Sequence, residues 1–246
     1  KTTIIAISPK VKLTTVKIPS TVKSIMGYSR VMYQNNSNQT IVDQIPSTGS
    51  ESDYTKVYQS YGAFQDMVSL ETVILESGSQ LQSIGGLAFS GCTTLKTISG
   101  LSSSLDYIGV SAFSNCTNLE SIDTTNVVKV GDNAFLNCNK LGSVNLSSVV
   151  YIGNNAFQNC SSLSSVDFSK NTALASIGYA AFMGAMTSGS TTVKIDLSNV
   201  TLLRTIPNSA FQNCTNLGSV VLSSSNNLVA IGTNAFSGAT SLTQVG

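Results

Sequence analysis

The sequence predicts an α/β solenoid, in which each coil adds one parallel strand to a sheet on one side and one short helix on the other. Three observations carry this. Phe recurs at positions 64, 89, 113, 135, 157, 182, 211 and 236, with gaps of 25, 24, 22, 22, 25, 29 and 25 residues. Each of these is directly preceded by Ala, from Ala63-Phe64 to Ala235-Phe236. A run of the type Leu-x-x-Val-x-Leu follows each, clearest in Leu141 to Leu146. Self-similarity at such a period marks stacked repeats, each of which cannot bury its apolar face alone.

The N-terminal part departs from this rhythm. Thr3 to Ile7 is an apolar stretch, and Leu13 to Ile18 matches the strand half of the repeat. Pro19 ends that strand, because it has no N–H for a ladder. Val22 and Ile25 begin a second half that is interrupted at residues 28–60. The interruption holds Gln34 to Gln39, Pro46, the polar run Ser47 to Asp53, and Tyr28, Tyr33, Tyr54 and Tyr58. Terminal repeats are usually atypical, so we expect these tyrosines to cover the open end of the stack; the rival reading is a loop that contacts a partner. The sequence divides accordingly into 1–60, a partial repeat with a capping insertion, and 61–246, a solenoid of eight copies.

Within the solenoid each repeat has two halves. The Leu-x-x-Val-x-Leu half alternates at its end, as a strand with one buried face does. The other half, Ile152-Gly153-Asn154-Asn155-Ala156-Phe157-Gln158-Asn159-Cys160 in its clearest copy, spaces its apolar residues as a short helix would. Ser111, Asn133, Asn155, Ser209 and Asn234 precede Ala-Phe and suit helix N-caps. Asp66, Gly91, Asn115, Asn137, Asn159, Gly184, Asn213 and Gly238, two residues past each Phe, tolerate positive φ and suit the helix end. Copy six carries extra residues around Thr187 to Ser190, expected to bulge at the strand entrance. At Val245-Gly246 the repeat has no polar cap, so that end is expected to continue into more chain or to meet another surface.

Composition removes whole classes of function. Charged residues make up 10 %, net charge is +1, and His and Trp are absent. No electrostatic footprint for nucleic acid or an anionic membrane is present. His-based acid–base chemistry and His metal ligation are ruled out. No apolar run reaches the length of a membrane span, and Lys1 to Ile7 is too short for a signal peptide. Cys92, Cys116, Cys138, Cys160 and Cys214 all lie three residues after a repeat Phe, where Met67, Ala185 and Ala239 stand in other copies. A position that accepts Cys, Ala or Met is a packing position, so we expect buried, reduced thiols rather than disulfides or a metal site.

The combination of Leu-x-x-Val-x-Leu with Ile-Gly-x-x-Ala-Phe-x-x-Cys resembles the BspA-like leucine-rich repeats of bacterial and protist surface proteins. The resemblance covers residues 61–246 and a partial copy near 13–25. It implies a curved, right-handed leucine-rich repeat solenoid with a parallel concave β-sheet and short helices on the convex side. It also implies display at the cell surface and a role in adhesion or host-protein binding. The motif residues are structural, so no site residue comes from it.

On such a strand the residues flanking the Val face outward. One column reads Thr72, Thr97, Ser121, Ser143, Ser165, Lys194, Ser219; the next reads Ile74, Ser99, Asp123, Asn145, Asp167, Asp196, Val221. Asp123, Asn145, Asp167 and Asp196 therefore form the candidate ligand-binding column. The alternative is a solvated face that simply needs polar residues, and a flat column rarely surrounds a cation such as Ca²⁺. A carboxylate hydrolase on Asp123, Asp167 and Asp196 would need an enclosing pocket that the pattern does not imply. Asn35 and Asn38 are the sequons placed to carry glycans, if the protein passes through a eukaryotic secretory route. The sequence thus points to an extracellular or cell-surface binding protein with a protein or glycan ligand. No cofactor, catalytic residue, metal, nucleic acid or membrane insertion is expected. The alternative is a structural spacer or intracellular interaction scaffold.

Overall fold

The computed structural model describes residues 2–4, 12–35, 41–42, 54–224 and 227–246; for 2–4, 28–35, 41–42 and 54–60 it describes the backbone alone. The chain is a parallel β-solenoid whose coils stack with their apolar residues inside. The Phe ladder forms as the spacing predicts. Phe64, Phe89, Phe113, Phe135, Phe157, Phe182, Phe211 and Phe236 stack in sequence, with centroids 5.0–5.6 Å apart and ring planes within 2–9°. All but Phe236 are fully buried.

One side of the stack is the expected sheet. Its strands are Thr15–Ile18, Thr72–Leu75, Thr97–Ser99, Ser143–Asn145, Ser165–Asp167, Val193–Leu197, Leu217–Leu222 and Gln244–Val245. Their pairing is parallel, and single bridges at Ser121 join Thr97 to Ser143. The coil that carries Ser121 is reduced to a bridge for a local reason. Thr124 occupies the last inward position, where its Oγ1 donates to Asn145 O (2.7 Å) and accepts from Asn145 N (3.0 Å). A side chain thus replaces the strand bond at that point.

The other half of the repeat corrects two expectations. Each coil carries a second strand, so the prediction of one strand per repeat fails. Thr2–Ile4, Val22–Ile25, Ser83–Ile84, Tyr107–Ile108, Lys129–Val130, Tyr151–Ile152 and Ser176–Ile177 form a second parallel sheet, and Thr205–Ile206 pairs separately with Ala230–Ile231. The expected short helices do not form: no helix occurs among the described residues.

The reason lies in two left-handed residues per coil. Ser111, Asn133, Asn155, Ser209 and Asn234, read from sequence as N-caps, have φ of 52–57°, and Asn115, Asn137, Asn159 and Asn213 have φ of 60–62°. This conformation turns alternate N–H groups along the solenoid axis. Ser111 N, Phe113 N and Asn115 N donate to Asp132 O (2.8 Å), Ala134 O (2.8 Å) and Leu136 O (2.7 Å) of the next coil. The residues between them, Ala112, Ser114 and Cys116, donate three residues back to Gly109, Ser111 and Phe113. An α-helix needs every N–H to reach four residues back, so this pattern excludes one.

The five thiols are free and buried, as expected. They are also more than filling. Each Sγ lies 3.0–3.2 Å from the carbonyl of the preceding coil's Phe, as Cys138 does from Phe113 O. The thiol donates, so it must stay protonated. Burial pushes Cys92 and Cys214 up to about 12 and raises Cys116, Cys138 and Cys160 as well.

The first coil is assembled from two pieces of chain. Thr15–Ile18 and Val22–Ile25 supply its strands, and Ala63 to Leu70 supplies its turn side, with Phe64 on the ladder. Between them Tyr28–Asn35 and Tyr54–Tyr61 run antiparallel as a long hairpin, with Ile41–Val42 on the outer edge of Tyr28–Asn35. The hairpin therefore leaves and re-enters one coil between its Ile-x-Gly and its Gly-Ala-Phe. Whether Tyr28, Tyr33, Tyr54 and Tyr58 cover the end of the stack, and how Asn35 and Asn38 are presented, lie outside the described residues.

Two stability outcomes follow from the ladder. Phe135→Ala should cost about 3–5 kcal/mol, and Phe236→Ala markedly less, since Phe236 is only partly buried. Urea unfolding followed by circular dichroism measures both; equal losses would show that burial in the ladder does not set the cost. Leu87 is a left-handed residue (φ 58°) with no local hydrogen-bonding side chain. Leu87→Asn should gain about 1 kcal/mol in the same assay, because the short polar side chain of Asn can bond to the local backbone in the left-handed conformation and that of Leu cannot.

Candidate functional site

The column Asp123, Asn145, Asp167 and Asp196 lies on the outer surface of the first sheet. Asn145 stands opposite Asp167 in the ladder, and the bridge from Ser121 to Ser143 puts Asp123 beside Asn145. Three of the four residues thus occupy consecutive rungs, spaced about 4.8 Å apart. Asp196 lies past a break. Val193–Leu197 sits beside Ser165–Asp167 but pairs only with Leu217–Leu222 among the described strands.

All four side chains share one local task. Asp123 Oδ1 accepts from Thr125 N (3.0 Å), Asn145 Oδ1 from Ser147 N (3.0 Å), Asp167 Oδ1 from Ser169 N (2.8 Å) and Asp196 Oδ1 from Ser198 N (3.0 Å). These are Asx turns, which bend the chain away from the strand. The Asp/Asn choice at this column is thereby explained by the turn. The second side-chain atom of each residue takes no part in that turn bond. At Asp196 that atom is taken: Lys194 Nζ lies 2.8 Å from Oδ2. Asp123 keeps its own for a partner, whereas the Asp167 carboxylate also accepts from the Ser169 hydroxyl. Their carboxylates do not enclose a cation, and among the described residues no group of three or more Asp, Glu, Cys or His side chains converges as a metal site.

The charges of the column follow from these contacts. The Asp167 carboxyl is lowered from its ordinary range by hydrogen bonds from the Ser169 hydroxyl and N–H. Asp196 falls to about 2, first through Lys194 and then through Ser198. A second charged pair, which the sequence reading did not single out, joins Lys96 Nζ to Glu71 Oε2 at 2.8 Å on neighbouring coils. Also missed was a feature of the second sheet. Lys129 Nζ lies 5.9 Å from the Tyr107 ring centroid and 5.3 Å from that of Tyr151, between the two rings. The signal was present: Tyr107, Lys129 and Tyr151 each precede the Ile or Val of an Ile-Gly pair, so aligning the copies places them on one column.

The sequence profile of the BspA type Leucine rich repeat region matches in six copies, over residues 58–187 and 128–246. The chain belongs to this family. Among solved structures, the T. pallidum Leucine Rich Repeat protein is similar over 98 % of this chain and 82 % of that one, at 22 % identity and a TM-score of 0.54; it shares the fold. A leucine rich cell surface protein from Faecalibacterium prausnitzii A2-165 is similar over 96 % and 79 % of the two chains, at 19 % identity and a TM-score of 0.46. A leucine-rich repeat protein from Bacteroides ovatus ATCC 8483 gives 87 % and 80 %, at 21 % identity and a TM-score of 0.36. No curated protein matches. In this BspA-type repeat the motif residues (Leu, Val, Ile, Ala, Phe and Cys) are buried packing positions, and what distinguishes the chain is therefore on its outward columns.

The Asp196–Lys194 pair has a measurable signature. A carboxyl lowered in the folded state adds stability above its ordinary pKa, near ~4, and that contribution is lost as pH falls through about 2. Carboxylate-detected NMR should give Asp196 a midpoint of about 2, moving upward in Lys194→Met. An unchanged midpoint in that variant would rule out the ammonium as the main cause.

Proposed function

We propose that this BspA-type solenoid is a binding module displayed outside the cell, which holds a protein partner against the first sheet through the Asp123–Asn145–Asp167 column. The observation that carries this reading is the set of Asx turns. They fix one oxygen of each side chain on consecutive rungs of the outer surface. Such a row is preorganised, so little side-chain freedom remains to be lost on binding. Flanking hydroxyls at Thr97, Ser121, Ser143 and Ser165 continue the polar face. A partner that presents Lys or Arg at matching intervals satisfies both carboxylates.

Membership of the family supports recognition over chemistry, and the chain's own residues agree. It has no His, and its thiols are buried and held protonated as donors. No helix of the described residues is long and apolar enough to cross a membrane. Display at the surface is supported by what the family resemblance implies and by a polar surface built on Ser, Thr and Asn rather than charge.

The charge on the column sets the test. Opposite charges steer encounter and salt screens them, while each exposed pair contributes at most about 1 kcal/mol. The triple variant Asp123→Asn, Asp167→Asn and Asp196→Asn keeps every Asx acceptor, so the fold should be retained. With a surface-captured host-protein panel as the partner source, any ligand found should bind the variant more slowly and lose most of its salt dependence. An unchanged association rate and unchanged salt dependence would place the binding surface elsewhere.

A further inference from the structure

We propose that the second sheet carries a separate site, a cavity beside Pro207 that binds one neutral sugar ring of a glycan chain. The site lies on a different face from the column above and does not rest on it.

The cavity has a covalent origin. In regular coils the Gly after the second strand donates its N–H to the coil before: Gly109 to Ile84 O (2.8 Å), Gly131 to Ile108 O (2.8 Å), Gly153 to Val130 O (2.9 Å), Gly232 to Ile206 O (2.7 Å). Those glycines also permit close approach, since a β-carbon on Gly131 would sit 2.7 Å from Val110 N. Pro207 takes this position in the seventh coil. It has no N–H to give and a ring that cannot approach as closely. The second sheet accordingly stops at Ser176–Ile177 and starts afresh at Thr205–Ile206. At that break lies a cavity of ≈ 370 Å³, lined among others by Tyr179, Thr205, Pro207, Asn208, Ala230 and Gly232.

The lining defines the ligand. No Asp, Glu, Lys or Arg is part of it, so a charged ligand would be desolvated without a counter-charge. Tyr179 is 52 % exposed and offers a bare aromatic face. The positions equivalent to it on the neighbouring coils are Asn154 and Asn208. One apolar plate is thus flanked by two amides, which matches an object with an apolar face and a hydroxyl rim. Asn208 Oδ1 is fixed by Thr233 N at 2.8 Å, which leaves the Nδ2 hydrogens to donate to a ligand. Thr205, exposed at the mouth, both donates and accepts. Small residues at Ala230 and Gly232 leave room for the ring.

A second aromatic pair lies along the same sheet. Tyr107 and Tyr151, two coils apart, share a column with Lys129 between them, and the register continues that column through Ser176, three positions before Tyr179. Coils rise by about 4.8 Å, close to one ring of an extended polysaccharide, so a chain lying along the axis keeps its rings in step with the coils. A proline-rich peptide also packs on aromatic side chains, but it has few groups to meet the amides and hydroxyl that surround Tyr179.

The test uses the full chain and three neutral probes, cellohexaose, maltohexaose and N-acetylchitohexaose, by calorimetry, with hexaproline as the peptide probe. At least one hexasaccharide should bind with a Kd below about 1 mM. Tyr179→Ala should weaken it about tenfold or more, while Tyr179→Phe stays close to the parent, because the ring face is what binds. Asn208→Asp keeps the acceptor for Thr233 N but removes the donors, and should weaken binding about threefold to fivefold. The triple variant of the Asp column should bind the sugar as the parent does. The proposal is overturned if no hexasaccharide binds at about 5 mM, if Tyr179→Ala binds unchanged while its thermal unfolding matches the parent, if the triple variant loses sugar binding, or if hexaproline binds more tightly than every sugar.

Discussion

The hydrogen bond from each repeat Phe N–H, from Phe64 to Phe211, to the Ala carbonyl of the next coil, 2.7–2.8 Å long, is the contact on which the rest of the solenoid depends. It lies directly beneath the aromatic ring and fixes the coil spacing at which the rings stack. From Phe89 to Phe211 the residue before Ala-Phe and the residue two after Phe are left-handed, which aims alternate N–H groups along the axis. The Phe carbonyl then needs partners of its own. Phe89 O receives Cys92 N from its own coil and Cys116 Sγ from the next, both at 3.1 Å. This accounts for Cys at a position where a small apolar residue would fill the same space, and a buried donor of this kind is not a nucleophile. The asparagines two residues after Phe form a similar ladder outside, with Asn137 Nδ2 on Asn115 Oδ1 (2.8 Å) and Asn159 Nδ2 on Asn137 Oδ1 (2.9 Å).

A shortage of charge follows from the same geometry. With two left-handed residues and an Asx turn in many coils, the outward positions that could hold Lys or Glu are taken by residues that bond back to the backbone. Asn171 is the extreme case. It is fully buried, donates to Leu146 O and Val149 O, and accepts from Ala173 N and Leu174 N. The few charges that remain are locally paired where they are close, as in Lys96–Glu71 and Lys194–Asp196. A surface of this kind suits recognition by hydroxyl and amide groups on both sheets, with carboxylates adding rate and orientation rather than most of the affinity.

Regular stacking also explains why departures from the repeat are where function is sought. The hairpin at Tyr28–Asn35 and Tyr54–Tyr61 leaves the first coil at a turn and returns to it, so it adds a surface without interrupting the Phe ladder. Pro207 removes one donor and one close approach, and among the described strands the second sheet opens there and at no other point between Val22–Ile25 and Ala230–Ile231. Both changes are local because each coil contacts only its neighbours.

The sequence by itself determined the repeat, its period, the stacking of Phe, the burial of the thiols, the parallel pairing of the first sheet and the outward column at Asp123, Asn145, Asp167 and Asp196. Each of these depends on which positions recur, and recurrence is visible in the letters. The backbone between Ile-Gly and Cys was decided only in three dimensions. Apolar residues spaced for a helix and Asn or Ser at a capping position are equally consistent with a chain whose alternate N–H groups bond to another coil, because a sequence window contains no information about a neighbour 22–29 residues away. The same limit hid the Lys129 contacts, which come from adjacent rungs; Lys194, two residues from Asp196, was visible in the letters, and only its side-chain geometry was not. It hid the cavity as well: Pro207 was visible as a departure from Gly, but the gap it opens exists only where Tyr179 and Gly232 are brought to either side of it.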